Sequence, residues 1–190
     1  MDALAALRAG LPVLLPTDTV YGLVSAPDEE AATRLYELKG RPRAQPTAIL
    51  AATVEDLLAA VPELPETTLA RLLPGPFTLV LPNPANRFAW LTGGEPGPIG
   101  VRVPELPPET HEIVKQLGVV LATSANDPGG PNPGTLGDVP RRIRDACGAE
   151  LDLGRLPGTP STVLDLSGDT PHVLREGAVP ATEALRRLGS

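Results

Sequence analysis

Residues 119–126, VVLATSAN, decide the fold, because in them an apolar stretch runs directly into a polar turn. The uninterrupted apolar residues 119–122 predict a strand. Ser124 and Asn126 follow, and a segment rich in glycine and proline continues to Gly137. Ligands of open α/β sheets bind beyond the carboxyl ends of strands, so this strand end is a candidate site. The alternative is a turn in which Ser and Asn bond only to local backbone.

Helices and strands alternate on both sides of this segment without strict βαβ regularity. The predicted helices are 3–9, 29–39, 54–60, 67–73, 109–117, 141–147 and 182–188. The predicted strands are 13–15, 20–24, 48–51, 77–81, 100–103, 119–122, 162–165 and 172–175. Asp28 can cap the second helix and Gly40 can close it. This order predicts one α/β domain over residues 1–190, with flanking helices on a twisted sheet of mixed parallel and antiparallel strands.

The composition is that of a globular protein with an acidic balance: 42% of the 190 residues are hydrophobic and the net charge is −7. This charge argues against binding nucleic acid mainly through phosphate neutralisation, although it permits a local basic pocket. Cys147 is the single cysteine, so the sequence contains neither an internal disulfide nor a Cys/His cluster. No apolar run approaches the about 18–20 residues of a membrane span, and the N-terminus lacks a secretory pattern. We therefore expect a cytoplasmic protein without membrane contact.

Several familiar catalytic patterns are absent from the sequence. It has no phosphate-binding G-x-x-x-x-G-K-[ST] loop, no G-x-G-x-x-G after a strand and no G-x-S-x-G elbow. Residues 111–115 begin like a zinc-protease helix, but Lys115 occupies the position of the second histidine. The remaining candidates for a functional site are basic and small polar residues.

Lys39 and Arg41 flank Gly40 where a helix is predicted to end. One interpretation is that cations favour a helix C-terminus, which is worth only ~0.3–1 kcal/mol. The other is a polyphosphate clamp, in which Lys supplies a point charge and Arg a planar fork. Arg102 and Arg175 each interrupt an apolar strand, and each either faces solvent or pairs with an anion. In residues 16–23, PTDTVYGL, Gly22 indicates a backbone that something approaches closely, or else a hairpin or bulge.

Taken together and in this order, these segments resemble the YrdC/TsaC/Sua family of L-threonylcarbamoyladenylate synthases. The resemblance covers nearly the whole chain and is carried by residues 14–23, 38–42, 74–78, 90–93, 101–104, 123–126, 161–165 and 174–178. It implies a single-domain, YrdC-like form of the mixed sheet, with a central cavity.

The resemblance also implies a set of site residues. Those expected to bind ATP are Lys39, Arg41, Ser124, Asn126 and Arg175, of which Lys39 and Arg41 are also expected to be catalytic. Those expected to bind threonine are Thr17, Tyr21, Arg102 and Ser161. Within this set, Arg102 is expected to receive the carboxylate of the amino acid, because Arg pairs with carboxylates through two parallel bonds.

The implied reaction needs no protein nucleophile. The amine of L-threonine captures bicarbonate or carbon dioxide as a carbamate, whose oxygen attacks the α-phosphorus of ATP and expels pyrophosphate. Proximity and electrostatics can carry such a step, with magnesium bridging the phosphates. The product, threonylcarbamoyl-AMP, would serve threonylcarbamoyladenosine modification of tRNA, which separate transfer proteins are expected to contact.

Two other functions remain open at the level of sequence. One is a paralogue of the same fold with altered nucleotide or carbamoyl chemistry, such as a relative of the carbamoyl-transfer domain of hydrogenase maturation factors. Departures from the family pattern at Thr47 and Pro128 keep this alternative open. The other is a double-stranded-RNA-binding module, against which the net charge of −7 weighs.

Overall fold

The described chain is built on one mixed sheet. A computed structural model describes residues 1–40, 42, 47–92 and 96–189, with backbone alone at Thr92. In these ranges nine strands form, in chain order: β1 Val13–Pro16, β2 Tyr21–Ser25, β3 Ala48–Ala51, β4 Phe77–Leu81, β5 Ile99–Arg102, β6 Val119–Ser124, β7 Ala149–Glu150, β8 Thr162–Asp165 and β9 His172–Arg175. Their spatial order is β7-β1-β2-β6-β3-β5-β4-β8-β9. β1–β7, β3–β5 and β4–β8 are parallel pairs, and the other neighbours are antiparallel.

Seven α-helices flank the sheet within the same ranges: α1 Ala3–Arg8, α2 Glu29–Lys39, α3 Val54–Ala60, α4 Glu66–Leu72, α5 Pro108–Lys115, α6 Arg141–Arg144 and α7 Ala181–Gly189. Short 3₁₀ helices form at Ala89–Thr92 and Leu136–Asp138. Among the residues described, no helix combines the length and apolarity needed to cross a bilayer. The predicted mixed α/β sheet with flanking helices is thus confirmed.

Local sequence signals set the helix that leads to the site. The Asp28 side chain accepts a hydrogen bond from the Ala31 amide at 2.8 Å, which satisfies a donor at the start of α2. Gly40 ends α2 with a φ of +60°, a conformation that costs glycine little. Both predicted caps are confirmed, and they fix where Lys39 leaves the helix.

Most bounds of the α-helices and strands lie within two residues of the prediction, and two of these elements differ by more. Helix α6 ends at Arg144 rather than at Cys147, after a single turn. The two-residue strand β7 was not predicted, because it is too short to show a pattern of its own. It forms because Val13 and Leu14 of β1 pair with it and the Gly148 amide donates to the Pro12 carbonyl at 2.8 Å.

One face of the sheet, apart from the exposed edge strand β9, is covered by helices. Alternate strand residues, including Leu23, Ile49 and Leu79, pack there with α2, α3, α4 and α7 in the larger apolar cluster. On the opposite face α1 and α5 cover β1, β2, β6 and the part of β3 that carries Leu50, in a second apolar cluster. The remainder of that face, over β4, β5, β8 and the start of β3 at Ala48, is therefore available to form a cavity.

A segment without regular structure, residues 151–161, runs from β7 to β8 and is named here the strap. It is attached at intervals: the Leu156 amide donates to the Gly134 carbonyl at 2.7 Å, and the Gly158 amide to the Thr19 carbonyl at 2.9 Å. Its last residues, Pro160 and Ser161, lie against Gly177. A Cβ added to Gly177 would lie 2.3 Å from the Pro160 carbonyl oxygen.

Gly177→Ala is expected to destabilise the protein by about 1–3 kcal/mol, because the added methyl group collides with backbone that cannot move freely. Urea unfolding should show the loss as a lower midpoint. Gly168→Ala is the matched control, since its Cβ would meet nothing within 4 Å. Equal midpoints for the two variants would contradict the close approach at Gly177.

Candidate functional site

A cavity of about 450 Å³ occupies the open part of the sheet. This volume lies within the range of about 300–1,000 Å³ typical of small-molecule sites. Strands β3, β4, β5, β6, β8 and β9 contribute to its wall, and the strap closes one side. The polar residues that line it are Thr47, Thr78, Arg102, Thr123, Ser124, Ser161 and Arg175.

Strand alternation produces this polar lining. In β4, Thr78 and Val80 face the cavity, whereas Phe77 and Leu79 belong to the core on the other face. The same alternation in β5 directs Arg102 into the cavity wall. The apolar neighbours thus hold the strands, while every second residue is available to a ligand.

Lys39 joins the end of α2 to the turn after β6. Its ammonium donates to the Ser124 carbonyl at 2.8 Å, to the Asn126 side-chain oxygen at 3.0 Å and to the Asn126 carbonyl. Only 3% of Lys39 is exposed. The Ser124 hydroxyl donates to Asn126 Oδ1 at 2.6 Å, and the Asn126 amide group donates to the Gly130 carbonyl at 2.7 Å. The turn is thus organised around a buried cation.

Arg142 of α6 makes a second link between these two segments. Its guanidinium donates to the Leu38 carbonyl and to the Asp127 carboxylate, with a distance of 3.0 Å from Nε to Oδ1. Leu38 and Asp127 each adjoin a residue of the Lys39–Asn126 pair. Since both partners are about half exposed, this ion pair adds little stability by itself.

Arg102 is paired with Asp18 from the β1–β2 turn. Arg102 Nη2 lies 3.0 Å from Asp18 Oδ1, and the two side chains are 11% and 10% exposed. Burial raises the pKa of Asp18, against the opposing effect of Arg102. Burial also lowers the pKa of Arg102. The charge of Asp18 opposes this lowering, whereas the charge of Arg175 adds to it. Arg102 Nε and Asp18 Oδ2 have no hydrogen-bond partner within the described residues.

Arg175, Ser161 and Thr78 form a continuous polar chain along the cavity wall. Arg175 donates to the Ser161 carbonyl from Nη2 at 2.8 Å and from Nε at 3.1 Å, and to the Ser161 hydroxyl at 3.2 Å. The Ser161 and Thr78 hydroxyl oxygens are 2.8 Å apart. Arg175 therefore fixes the end of the strap to β9.

Thr17 and Tyr21 are both buried and lie behind the cavity wall rather than in it. The Thr17 hydroxyl donates to the Val20 carbonyl at 2.7 Å and so closes the β1–β2 turn. The Tyr21 hydroxyl donates to the strap, at 2.8 Å from the Gly154 carbonyl and 3.0 Å from Asp152 Oδ1. Burial raises the pKa of Tyr21. Both hydroxyls are thus bonded within the protein, and their predicted role in threonine binding stays a prediction.

The structure brings most of the predicted site residues to one region. Arg102, Ser124, Ser161 and Arg175 line the cavity, and Lys39 and Asn126 lie directly behind its wall. Arg41 falls outside the described residues.

Sequence reasoning assigned no role to Asp18, Thr78 or Arg142. Strand alternation through Thr78 could have indicated a lining residue. The contacts of Asp18 and Arg142 join distant segments and have no local signal.

The site offers hydroxyls and cations rather than metal ligands. No Asp or Glu is among the described residues that line the cavity. Within the described ranges, no group of three His, Cys, Asp or Glu side chains could hold a metal ion. This set of donors suits anionic ligands such as carboxylates and phosphates.

Residues 5–177 match the family model Sua5/YciO/YrdC, which is described as "Telomere recombination". A putative threonylcarbamoyl-AMP synthase of Mycobacterium tuberculosis is 33% identical, over 100% of this chain and 88% of its own length. A threonylcarbamoyl-AMP synthase of Pyrococcus abyssi is 36% identical, but this chain covers only 55% of it.

Solved structures agree with the sequence matches. The crystal structure of Pyrococcus abyssi Sua5 complexed with L-threonine superposes with a TM-score of 0.85 at 35% identity, over 98% of this chain and 56% of that one. Escherichia coli YciO has the same fold, with a TM-score of 0.82 at 24% identity. Both the family model and the solved structure match more than nine-tenths of the chain. This chain therefore belongs to the Sua5/YciO/YrdC family.

Proposed function

We propose that this protein is an L-threonylcarbamoyl-AMP synthase, which joins L-threonine, bicarbonate and ATP and releases pyrophosphate. The observation that carries the proposal is the cavity itself. It places arginines from two different strands, β5 and β9, around one volume that also receives the turn after β6. The activity in the names of the relatives requires a site for a carboxylate beside a site for phosphates, and such a lining suits both.

The nucleotide side of the proposed site is the turn of Ser124 and Asn126 together with Lys39, Arg41 and Arg175. Lys39 contributes in two ways: its ammonium fixes the turn through three oxygens, and its charge lies behind the wall that the phosphates would face. In a buried setting such a charge acts more strongly than in water. Arg175 would add a planar donor at the mouth of the cavity.

The amino-acid side is formed by Arg102 and Ser161. Arg102 would receive the threonine carboxylate, and Ser161 would offer its hydroxyl from the end of the strap. Thr17 and Tyr21 would serve this side indirectly, Thr17 by shaping the β1–β2 turn and Tyr21 by attaching the strap that carries Ser161. In this proposal Thr17 and Tyr21 hold the segments around the threonine site in place, whereas the family resemblance implies that they bind threonine themselves.

The chemistry proposed for this site balances without a protein nucleophile. The neutral amine of threonine adds to carbon dioxide, supplied by bicarbonate, and loses a proton to give a carbamate. A carbamate oxygen then forms a bond to the α-phosphorus of ATP while the bond to the bridging oxygen breaks, and pyrophosphate leaves. The protein's part is to align the reactants and to offset the charge gathering on the phosphoryl oxygens.

Magnesium would enter with ATP as part of the substrate, held by phosphate oxygens. The cavity lining described above has hydroxyl groups to orient its water shell but no carboxylate to bind it directly. Transfer of the threonylcarbamoyl group to tRNA would then fall to separate proteins, and a cytoplasmic location remains a prediction.

The direct test is incubation of the purified protein with ATP, magnesium, L-threonine and bicarbonate. We expect threonylcarbamoyl-AMP and pyrophosphate in equal amounts, with pyrophosphate release dependent on both threonine and bicarbonate. Arg41→Ala should abolish product while the circular dichroism spectrum is unchanged. Release of pyrophosphate at the same rate with and without threonine would refute the proposed function.

Lys39→Met is expected to lower the rate of product formation by about 100-fold or more, because the turn loses its charge-assisted hydrogen bonds. The KM for ATP should rise, whereas the KM for threonine should change less. Lys115→Met is the control, since Lys115 pairs with Asp56 in an exposed ion pair outside the cavity. Activity in Lys39→Met equal to the control would remove Lys39 from the site.

Arg102→Gln is expected to raise the KM for threonine by about 10- to 100-fold, the loss that corresponds to ~1.5–3 kcal/mol for a hydrogen bond to a charged group. L-Threoninamide, which has no carboxylate, should be used equally poorly by the variant and the wild type. Arg87→Gln provides the matched control, because Arg87 pairs with Glu63 at the surface. A variant that still prefers threonine to the amide as strongly as the wild type would overturn the assignment.

A further inference from the structure

The β1–β2 turn is a closed unit built around one hydroxyl. Thr17 Oγ1 donates to the Val20 carbonyl at 2.7 Å and accepts from the amides of Val20 and Thr19 at 3.2 and 3.3 Å. The Gly158 amide of the strap also donates to the Thr19 carbonyl at 2.9 Å. With both strand ends and the strap attached to it, the turn has little freedom to move, and it carries Asp18.

Asp18 extends from this turn to Arg102 but does not take part in the cavity wall. Oδ1 accepts from Arg102 Nη2 at 3.0 Å, while Oδ2 is buried without a partner among the described residues. Thr19 Oγ1 supports the same carboxylate, with a bond of 3.2 Å to Oδ1, and lies 3.5 Å from Arg102 Nη2. A substrate in the cavity would therefore meet the guanidinium and not the carboxylate behind it.

We propose that Asp18 is a positioning residue that fixes the guanidinium plane of Arg102 in the cavity wall and thereby sets the preference for an α-carboxylate in the amino-acid substrate. The inference rests on the proposed function. It gives residues 16–19 a specific role, in which the Thr17 turn holds Asp18, Asp18 holds Arg102, and Arg102 meets the substrate.

Physical reasons favour a fixed guanidinium at this place. Arg has several rotatable bonds, and a carboxylate is recognised well only by a correctly oriented pair of N–H groups. The Arg102 side chain is also largely buried and experiences the positive charge of Arg175, which opposes its own charge. The Asp18 carboxylate offsets both the burial of the Arg102 charge and its repulsion by Arg175. It does so because it supplies a negative charge at hydrogen-bond distance, on the side of Arg102 away from the cavity.

The test is Asp18→Asn, which keeps the shape of the side chain and removes its charge. We expect the KM for threonine to rise about tenfold and the KM for ATP to stay within about twofold. The preference for L-threonine over L-threoninamide should narrow by a similar factor, which a purely structural defect would not produce. Asp56→Asn, which weakens the exposed pair with Lys115, is the control and should change none of the three values.

Two results would overturn the inference. An unchanged KM for threonine would show that Arg102 needs no support, and a lower KM would show that Asp18 competes with the substrate instead of assisting it. If Asp18→Asn does not fold, Thr17→Val replaces it, since this change opens the turn but leaves the charge. The same selective rise in the KM for threonine is expected, and a rise confined to ATP would contradict the inference.

These outcomes are separate from failure of the proposed function. A wild-type protein that forms no product from threonine would refute the synthase activity. An active wild type whose preference for the carboxylate survives in Asp18→Asn would refute the role of Asp18 alone. In an Arg102→Gln background, Asp18→Asn should add no further effect on the KM for threonine, because its effect passes through Arg102.

Discussion

The site depends on one buried cation. The ammonium of Lys39 joins the end of α2 to the turn after β6 through oxygens of Ser124 and Asn126, which lie more than 80 residues away in sequence. A buried ammonium must be surrounded by acceptors, because an uncompensated charge away from water is strongly unfavourable. The turn therefore takes the shape that Lys39 requires, and the cavity wall at Ser124 follows from it.

The second constraint is the unequal covering of the sheet. Helices pack over one face of the sheet except at the exposed edge strand β9, whereas α1 and α5 leave part of the other face uncovered. Strand alternation presents Thr78 and Arg102 on that uncovered part. The same strands thus have one face buried in the core, which holds them in place, and another face whose polar side chains point into the cavity. Arg175 and the strap complete this wall from the sheet edge.

Sequence reasoning predicted which residues lie around the cavity more successfully than how those residues are arranged. Ser124 at a strand end and Arg102 within an apolar strand were candidates to which the family resemblance gave a ligand-binding role, and both lie in the cavity wall. Thr17 and Tyr21 were expected in the same wall, yet their hydroxyls bond to the β1–β2 turn and to the strap. A buried hydroxyl at the end of a strand can bond either to a ligand in the cavity or to another segment of the protein. The local sequence does not determine which of these two partners it takes.

The sequence by itself determined the mixed α/β class, most helix and strand positions, the caps at Asp28 and Gly40, and the motifs that identify the family. These are properties of short segments, governed by periodicity, capping and backbone preference. Only the tertiary structure decided that Asp18 supports Arg102, that Arg142 links Leu38 to Asp127, and that β7 exists at all. Each of these depends on contacts between segments far apart in the chain, and such contacts form only after the sheet order has brought the segments together.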